Sequence, residues 1–333
     1  MLSVPFLCDW KLNEKREKMK KLMLITLSLI IIFALAACGN NDTPQRENDS
    51  GSSKTPEQST TTDDSTPAPP PPPNIEYTPE EDFKFSLDAE TRGVFITAYT
   101  GNSFDIRIPN EIEGHPVTGI NGLSASVINV YLPDTLQIIG EGAFEGYAHL
   151  TEIIIPDNVI IIGDNAFSGS ALSSVIIGNS VTEIGKQAFS DTKLTNVIIP
   201  DNVLIIGEHA FASSTKEFQE YYSQLTGGCA PPSAVWPEYN VPSLLANVTI
   251  GNSVTSIGHG AFFNTLLTSI TIPDNVIIIC DFAFAFTPLI DVEFKNNNVS
   301  FEPYAFCYAL YLSEESKQRI LDINPDFCFT VIN

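Results

Sequence analysis

Apolar residues fall along this chain in one phrase that recurs. In Leu194 to Thr215, LTNVIIPDNVLIIGEHAFASST, Leu194, Val197 and Ile199 take near-alternate positions and leave Asn196 on the other side, which predicts a short strand with one buried face. Pro-Asp-Asn then predicts a turn, since proline presets φ and has no amide hydrogen, while Asp and Asn bond their own backbone. Val203 to Ile206 predicts a return of the chain towards the core, and Gly207 a bend that a side chain would obstruct. The Ala210-Phe211 pair closes the unit. Alanine permits close approach, and a phenylalanine at the same place in every unit predicts an internal column worth about 1.5–3 kcal/mol per buried ring.

The recurrence is strict. The Ala-Phe pair falls at Ala143-Phe144, Ala166-Phe167, Ala188-Phe189, Ala210-Phe211, Ala261-Phe262, Ala283-Phe284 and Ala305-Phe306, in steps of 23, 22, 22, 51, 22 and 22. A fixed period in the twenties is the mark of a solenoid whose units are stable only against their neighbours. The long step is one repeat plus 29 inserted residues. In two units Pro-Asp-Asn becomes Gly-Asn-Ser, at Gly178 to Ser180 and Gly251 to Ser253, which still predicts a turn.

The phrase LTxVxIPxxVxxIGxxAF resembles the BspA-type leucine-rich repeats of bacterial surface proteins, from about Ile75 to the C-terminus. The resemblance implies a leucine-rich-repeat solenoid of mainly short parallel strands with turns and short helical turns, in about eight coils of 22–23 residues with end caps. It also implies attachment to host matrix proteins, other bacteria or surfaces. A fold alone does not fix an activity.

Outside the repeats the composition changes twice. Met19 to Cys38 has the form of a signal peptide: Lys20 and Lys21, then the apolar run Leu22 to Phe33, then Leu35-Ala36-Ala37-Cys38. That last tetrapeptide resembles a bacterial lipobox, which implies a lipid on Cys38 and a membrane as the first partner. Met19 is the expected true start, so the first domain, 1–38, is the leader. Residues 39–74 are rich in Ser, Thr and Pro, lack large apolar residues and end on Pro69 to Pro73, which predicts a disordered tether finishing in a semi-rigid polyproline spacer.

Residues 75–126 read as an N-terminal cap and degenerate repeat. Phe83 to Phe85, Val94 to Thr97 and Ile106 to Ile108 predict strands, and Val117 to Ile120 matches the second half of a repeat with no Ala-Phe behind it. The repeats occupy 127–310, interrupted at 216–244 by KEFQEYYSQLTGGCAPPSAVWPEYNVPSL. Tyr221, Tyr222, Trp236 and Tyr239 in this insertion are candidate binding residues, because rigid amphipathic rings suit contact surfaces; packing of the same rings onto the coils is the competing expectation. The last coil, Leu289 to Leu310, is a weakened one, with Lys295-Asn296-Asn297 at the turn and Ser300 at the glycine position. Residues 311–333 predict a cap, with Ser313 as helix N-cap, Glu314 and Glu315 in the first turn, and Phe327 and Phe329 covering the last coil.

Composition and charge narrow the function. A chain of 333 residues, 43% hydrophobic, can bury a large core, and a net charge of −23 argues against nucleic acid as a partner. His115, His149, His209 and His259 occur singly and read as isolated surface residues, and no catalytic motif, zinc spacing or cofactor motif is present. Asp134, Asp157, Asp201 and Asp274 share one repeat position; turn-forming explains them and their neighbouring Asn better than calcium binding. Cys229, Cys280, Cys307 and Cys328 allow three pairings, or buried thiols. Together these readings predict a non-catalytic, lipid-anchored display module. Its ligand would meet the exposed strand positions Glu152, Ser174, Asn196 and Asn247, or the insertion. The alternative is a glycan-binding accessory protein of the cell envelope that uses the insertion.

Overall fold

A computed structural model describes residues 76–88, 92–123, 126–213, 243–302, 304–309, 311–325 and 327. The lipobox, Tyr221, Tyr222, Trp236, Tyr239, Cys229, Cys328 and Phe329 lie outside these residues. Among the described residues no helix is long and apolar enough to cross a membrane.

Each coil has three sides. The first is the predicted strand, at Asn129–Tyr131, Glu152–Ile154, Ser174–Ile176, Asn196–Ile198, Asn247–Thr249, Ser269–Ile272 and Asp291–Phe294. Pairing between coils is parallel and in register, with Val175 opposite Ile153 and Val197 opposite Val248. Leu194, Val197 and Ile199 point inward, as the alternation requires.

The second side corrects the sequence reading. Val203 to Ile206 is more than a return of the chain: Ile205–Ile206 is a strand, as are Ile138–Ile139, Ile161–Ile162, Glu183–Ile184, Ser256–Ile257, Ile278–Ile279 and Ser300–Phe301. These two-residue strands stack into the longest sheet of the molecule, continuous with His115–Ile120 and closed at its start by the antiparallel pair Phe83–Leu87 and Val94–Tyr99. Two residues are too few to show a period of two, so the strand emerges only when β-branched pairs stack coil on coil. The register also moves one assignment. Phe301 pairs with Ile279, so the position after it, where glycine stands in other coils, is Glu302 and not Ser300.

The third side is a run of turns that still forms a ladder. The Phe144 N–H donates to the Ala166 carbonyl (2.7 Å), Phe167 to Ala188 (2.8 Å) and Phe189 to Ala210 (2.8 Å). Inside it stands the column of Phe144, Phe167, Phe189, Phe211, Phe262, Phe284 and Phe306, all buried. Successive rings are 5.1–5.4 Å apart and within 9° of parallel. The ring spacing is close to the strand spacing of about 4.8 Å, so one coil contributes one ring.

Two details of the turns follow from stacking. A Cβ at Gly178 would stand 2.2 Å from the Pro156 carbonyl oxygen, which is why this turn reads Gly-Asn-Ser where its neighbour reads Pro-Asp-Asn. The Asp and Asn side chains then tie coil to coil. Asp157 accepts from the Asn179 N–H (2.8 Å), Asp201 from the Asn252 N–H (2.8 Å), and the Asn158 amide donates to the Asp134 carbonyl (2.7 Å). Both carboxylates are thus engaged in turn bonds to the next coil, and among the described residues no three His, Cys, Asp or Glu are placed to hold a metal ion.

The ends are closed by side chains. At the start, Thr78 donates its N–H to the Arg107 carbonyl and accepts the Arg107 N–H on Oγ1, covering the outer edge of strand Asp105–Arg107. At the finish, helix Glu314–Ile323 starts on Ser313, whose Oγ accepts the Ser316 N–H (3.2 Å). Buried Ser316 accepts the Val292 N–H on its own Oγ (3.0 Å), and Arg319 donates to the Val292 carbonyl (3.1 Å). The helix thereby closes a strand edge that would otherwise be open for pairing. Phe327 packs edge-on against Phe301 and Phe306, as expected of a cap. Ser316→Ala removes the acceptor of a buried N–H and is expected to cost about 1–3 kcal/mol. Amide exchange at Val292 should accelerate accordingly, and an unchanged rate would count against this closure.

Candidate binding surface

On the first side, strand alternation places every second residue outside. Glu152, Ser174, Asn196 and Asn247 are all exposed there and form one row, with Glu152 opposite Ser174 and Asn196 opposite Asn247. The Asn247 amide donates to the Asn196 side-chain oxygen (2.7 Å), so part of the row is pre-ordered. Beside it runs a second exposed row that the sequence reading missed: Ile154, Ile176 and Ile198, 42%, 44% and 60% exposed, continued by Thr249 and Thr271. The signal was present. In IIIP, VIIG and VIIP an isoleucine occupies the place where a half-buried strand calls for a polar residue. The surface therefore pairs an aliphatic stripe with a hydrogen-bonding one.

The third side carries a different group. His209 and His259 were expected as isolated surface residues, and this is corrected. Their rings lie 5.4 Å apart, edge to face, each only partly accessible. They are 50 positions apart in the sequence because the insertion separates adjacent coils. The His209 ring lies over Gly260, where a Cβ would meet it at 2.4 Å. Burial, then the neighbouring His259 and Lys186, push the His209 imidazole down to about 3. Asp281 lies one coil beyond His259; burial raises its carboxyl above the ordinary range, opposed by the Tyr304 N–H that it accepts and by His259. Lys186 and Glu208 form an ion pair at 2.9 Å on the same side. These groups describe a half-buried charged seam, with no nucleophile and base set against each other.

The cysteines divide. Cys280 is disulfide-bonded, and Cys307 is a buried thiol. The expectation that thiols and disulfides were equally open is thus resolved for these two. The insertion begins and ends on this same side: the Ser213 N–H donates to the Phe263 carbonyl (3.2 Å) and the Ser243 N–H to the Asn264 carbonyl (3.0 Å). The chain is back on the coils by Ser243, one residue before the expected boundary at Leu244.

No match was found among curated proteins. Among solved structures, the leucine-rich repeat protein of T. pallidum superposes with a TM-score of 0.55 at 23% identity, covering 77% of this chain and 100% of that one. A leucine-rich repeat protein from Bacteroides ovatus is 24% identical over 70% of this chain and 68% of that one, with a TM-score of 0.39. The first of these likenesses concerns the fold alone. The sequence profile of the BspA type leucine-rich repeat region matches in 6 copies, over residues 123–226 and 239–330. With the phenylalanine column and the in-register coils of the same segments, that match means that this chain belongs to the BspA-type leucine-rich repeat family.

Proposed function

We propose that the chain is a bacterial surface lipoprotein, held by lipid on Cys38, that binds protein partners such as host matrix or other cells without catalysis. The observation that supports this reading is the pair of exposed rows on the first side. A stripe of Ile154, Ile176 and Ile198 gives apolar area, while Glu152, Ser174, Asn196 and Asn247 beside it give directional polar contacts. Interfaces of this kind draw their affinity from a few desolvated apolar residues and their register from the polar surround. A rigid array is also pre-organised, so little ordering entropy is lost on binding.

The test combines display and binding. Intact mass of the protein from its own host is expected to show lipid on an N-terminal Cys38, lost in Cys38→Ser. Whole cells bearing the wild type should bind immobilised matrix protein or partner cells saturably. Ile176→Asp with Ile198→Asp is expected to weaken that binding by about tenfold or more, an interface cost of about 1.4 kcal/mol or more, with an unchanged melting temperature. Retention of residues before Cys38 overturns the anchor, and undiminished binding by the double variant overturns the surface.

A further inference from the structure

Three residues before each first-side strand, the chain turns the corner from the third side to the first. In the early coils this corner position holds His149, Ala171 and Lys193; in the later ones it holds Leu244, Leu266 and Pro288. The register is fixed by the strands that follow, with Asn196 opposite Asn247 and Ser269 opposite Asp291. Tyr311 extends the series. The Ser313 N–H donates to the Ile290 carbonyl just as the Ile290 N–H donates to that of Thr268 (2.8 Å each), so residue 311 lies one coil beyond 288. Leu244, Leu266 and Tyr311 are 44%, 38% and 67% exposed, Pro288 is partly exposed, and Ile290 at 47% widens the stripe beside it. Apolar residues scattered singly on a surface are ordinary, whereas four in one register mark a contact surface.

The backbone here is already paired from coil to coil. The Leu266 N–H donates to the Leu245 carbonyl (2.9 Å) and the Ser243 N–H to the Asn264 carbonyl (3.0 Å). No strand edge is open along the row, so a partner must be held through its side chains.

Spacing selects the partner's conformation. One coil step in this segment is 5.3 Å between Phe262 and Phe284 and 5.4 Å between Phe284 and Phe306. Anchors alternately three and four residues apart on an α-helix advance by about 5.3 Å each, so four of them keep step with four coils. Same-face residues of an extended strand advance by about 6.7 Å and are about 4 Å out of step by the fourth coil. A polyproline turn advances by about 9.3 Å and meets every second coil at best. A second copy of this chain is a poor occupant. Its helix Glu314–Ile323 has Ile320 buried on its own last coil, and two chains of net charge −23 repel each other. The same charge opposes an anionic bilayer.

We propose that the row Leu244, Leu266, Pro288 and Tyr311 is a docking site for one amphipathic α-helix of a partner protein. The helix lies along the solenoid axis, with its apolar anchors over successive coils. This row is separate from the exposed rows of the first side, and the assignment stands whether or not those rows bind a matrix protein.

The experiment uses the full exported chain and a labelled synthetic peptide of about 14 residues, long enough for four anchors, with leucines alternately three and four residues apart. Fluorescence anisotropy is expected to show saturable binding, and circular dichroism a gain of helix in the peptide. A peptide of the same composition with leucine at every second residue is expected to bind at least tenfold more weakly. Leu266→Ser with Tyr311→Ser should lower affinity for the helical peptide by about tenfold or more at an unchanged melting temperature, since both side chains are accessible. Leu244→Gln gives the same reading from a third position. Ile176→Asp with Ile198→Asp, which tests the first-side rows, should leave this binding within about twofold of wild type. Equal binding by the Leu266 and Tyr311 variant, preference for the alternate-leucine peptide, or loss in the isoleucine variant instead overturns the docking site. So does a dimer, or binding to phosphatidylcholine vesicles, that depends on Leu266 and Tyr311 while the helical peptide does not bind.

Discussion

Truncating Phe189 to alanine is expected to destabilise the solenoid by about 3–5 kcal/mol. Phe189 is 1% exposed and has a parallel ring on each side, Phe167 at 5.1 Å and Phe211 at 5.3 Å. Removing it opens a void in a column whose members are held by strands and turn ladders on all three sides, so the neighbours cannot collapse into the space. In a linear array the damage has a further consequence. Stability is a sum of coil terms and nearest-neighbour terms, and Phe189 contributes to two interfaces at once. Urea unfolding followed by circular dichroism measures the loss. A change below about 1 kcal/mol would mean that the column tolerates voids and that backbone ladders carry the array.

The inward positions were legible in the sequence because they repeat. Leu194, Val197, Ile199, Val203, Ala210 and Phe211 are all buried, and each holds its place in every regular coil. The end cap was legible for a local reason: Ser313 followed by Glu314 and Glu315 is a helix start on its own. Features that depend on stacking were not. Glu183–Ile184 is a strand only because Ile161–Ile162 and Ile205–Ile206 lie on either side of it. Phe282 and Tyr308 give no sign of a left-handed backbone, since the residue types that announce one are glycine and asparagine. The His209 and His259 pair was hidden by the insertion, which turns neighbours in space into residues 50 apart. For the binding surface, the polar row was found by alternation, whereas the isoleucine row was passed over, because an apolar residue beside the buried ones does not mark itself as outward-facing.

Acid sensitivity is expected to trace to His209. The unfolded imidazole titrates near 6.5, and the folded one is held down to about 3, mainly by burial. Above pH 6.5 the ring is neutral in both states and contributes no pH dependence. As pH falls below 6.5 the unfolded chain takes a proton that the folded chain refuses, and stability drops by roughly 1.4 kcal/mol per pH unit until about pH 3. Asp281 acts in the opposite sense. Its folded carboxyl is raised above the ordinary value by burial, so the native state gains relative stability as pH falls through that raised value towards 3.8. The net slope is therefore shallower than His209 alone would give, and a single titration of wild type does not separate the two. His209→Gln does. Gln187 holds the same place one coil earlier at φ 53°, against 52° for His209, so the substitution fits the backbone. With Asp281 common to both proteins, their difference in unfolding free energy should be constant above pH 7. It should then shift by about 2–3 kcal/mol in favour of the variant by pH 4.5. A difference that stays constant across the whole range would overturn the assignment of the acid response to His209.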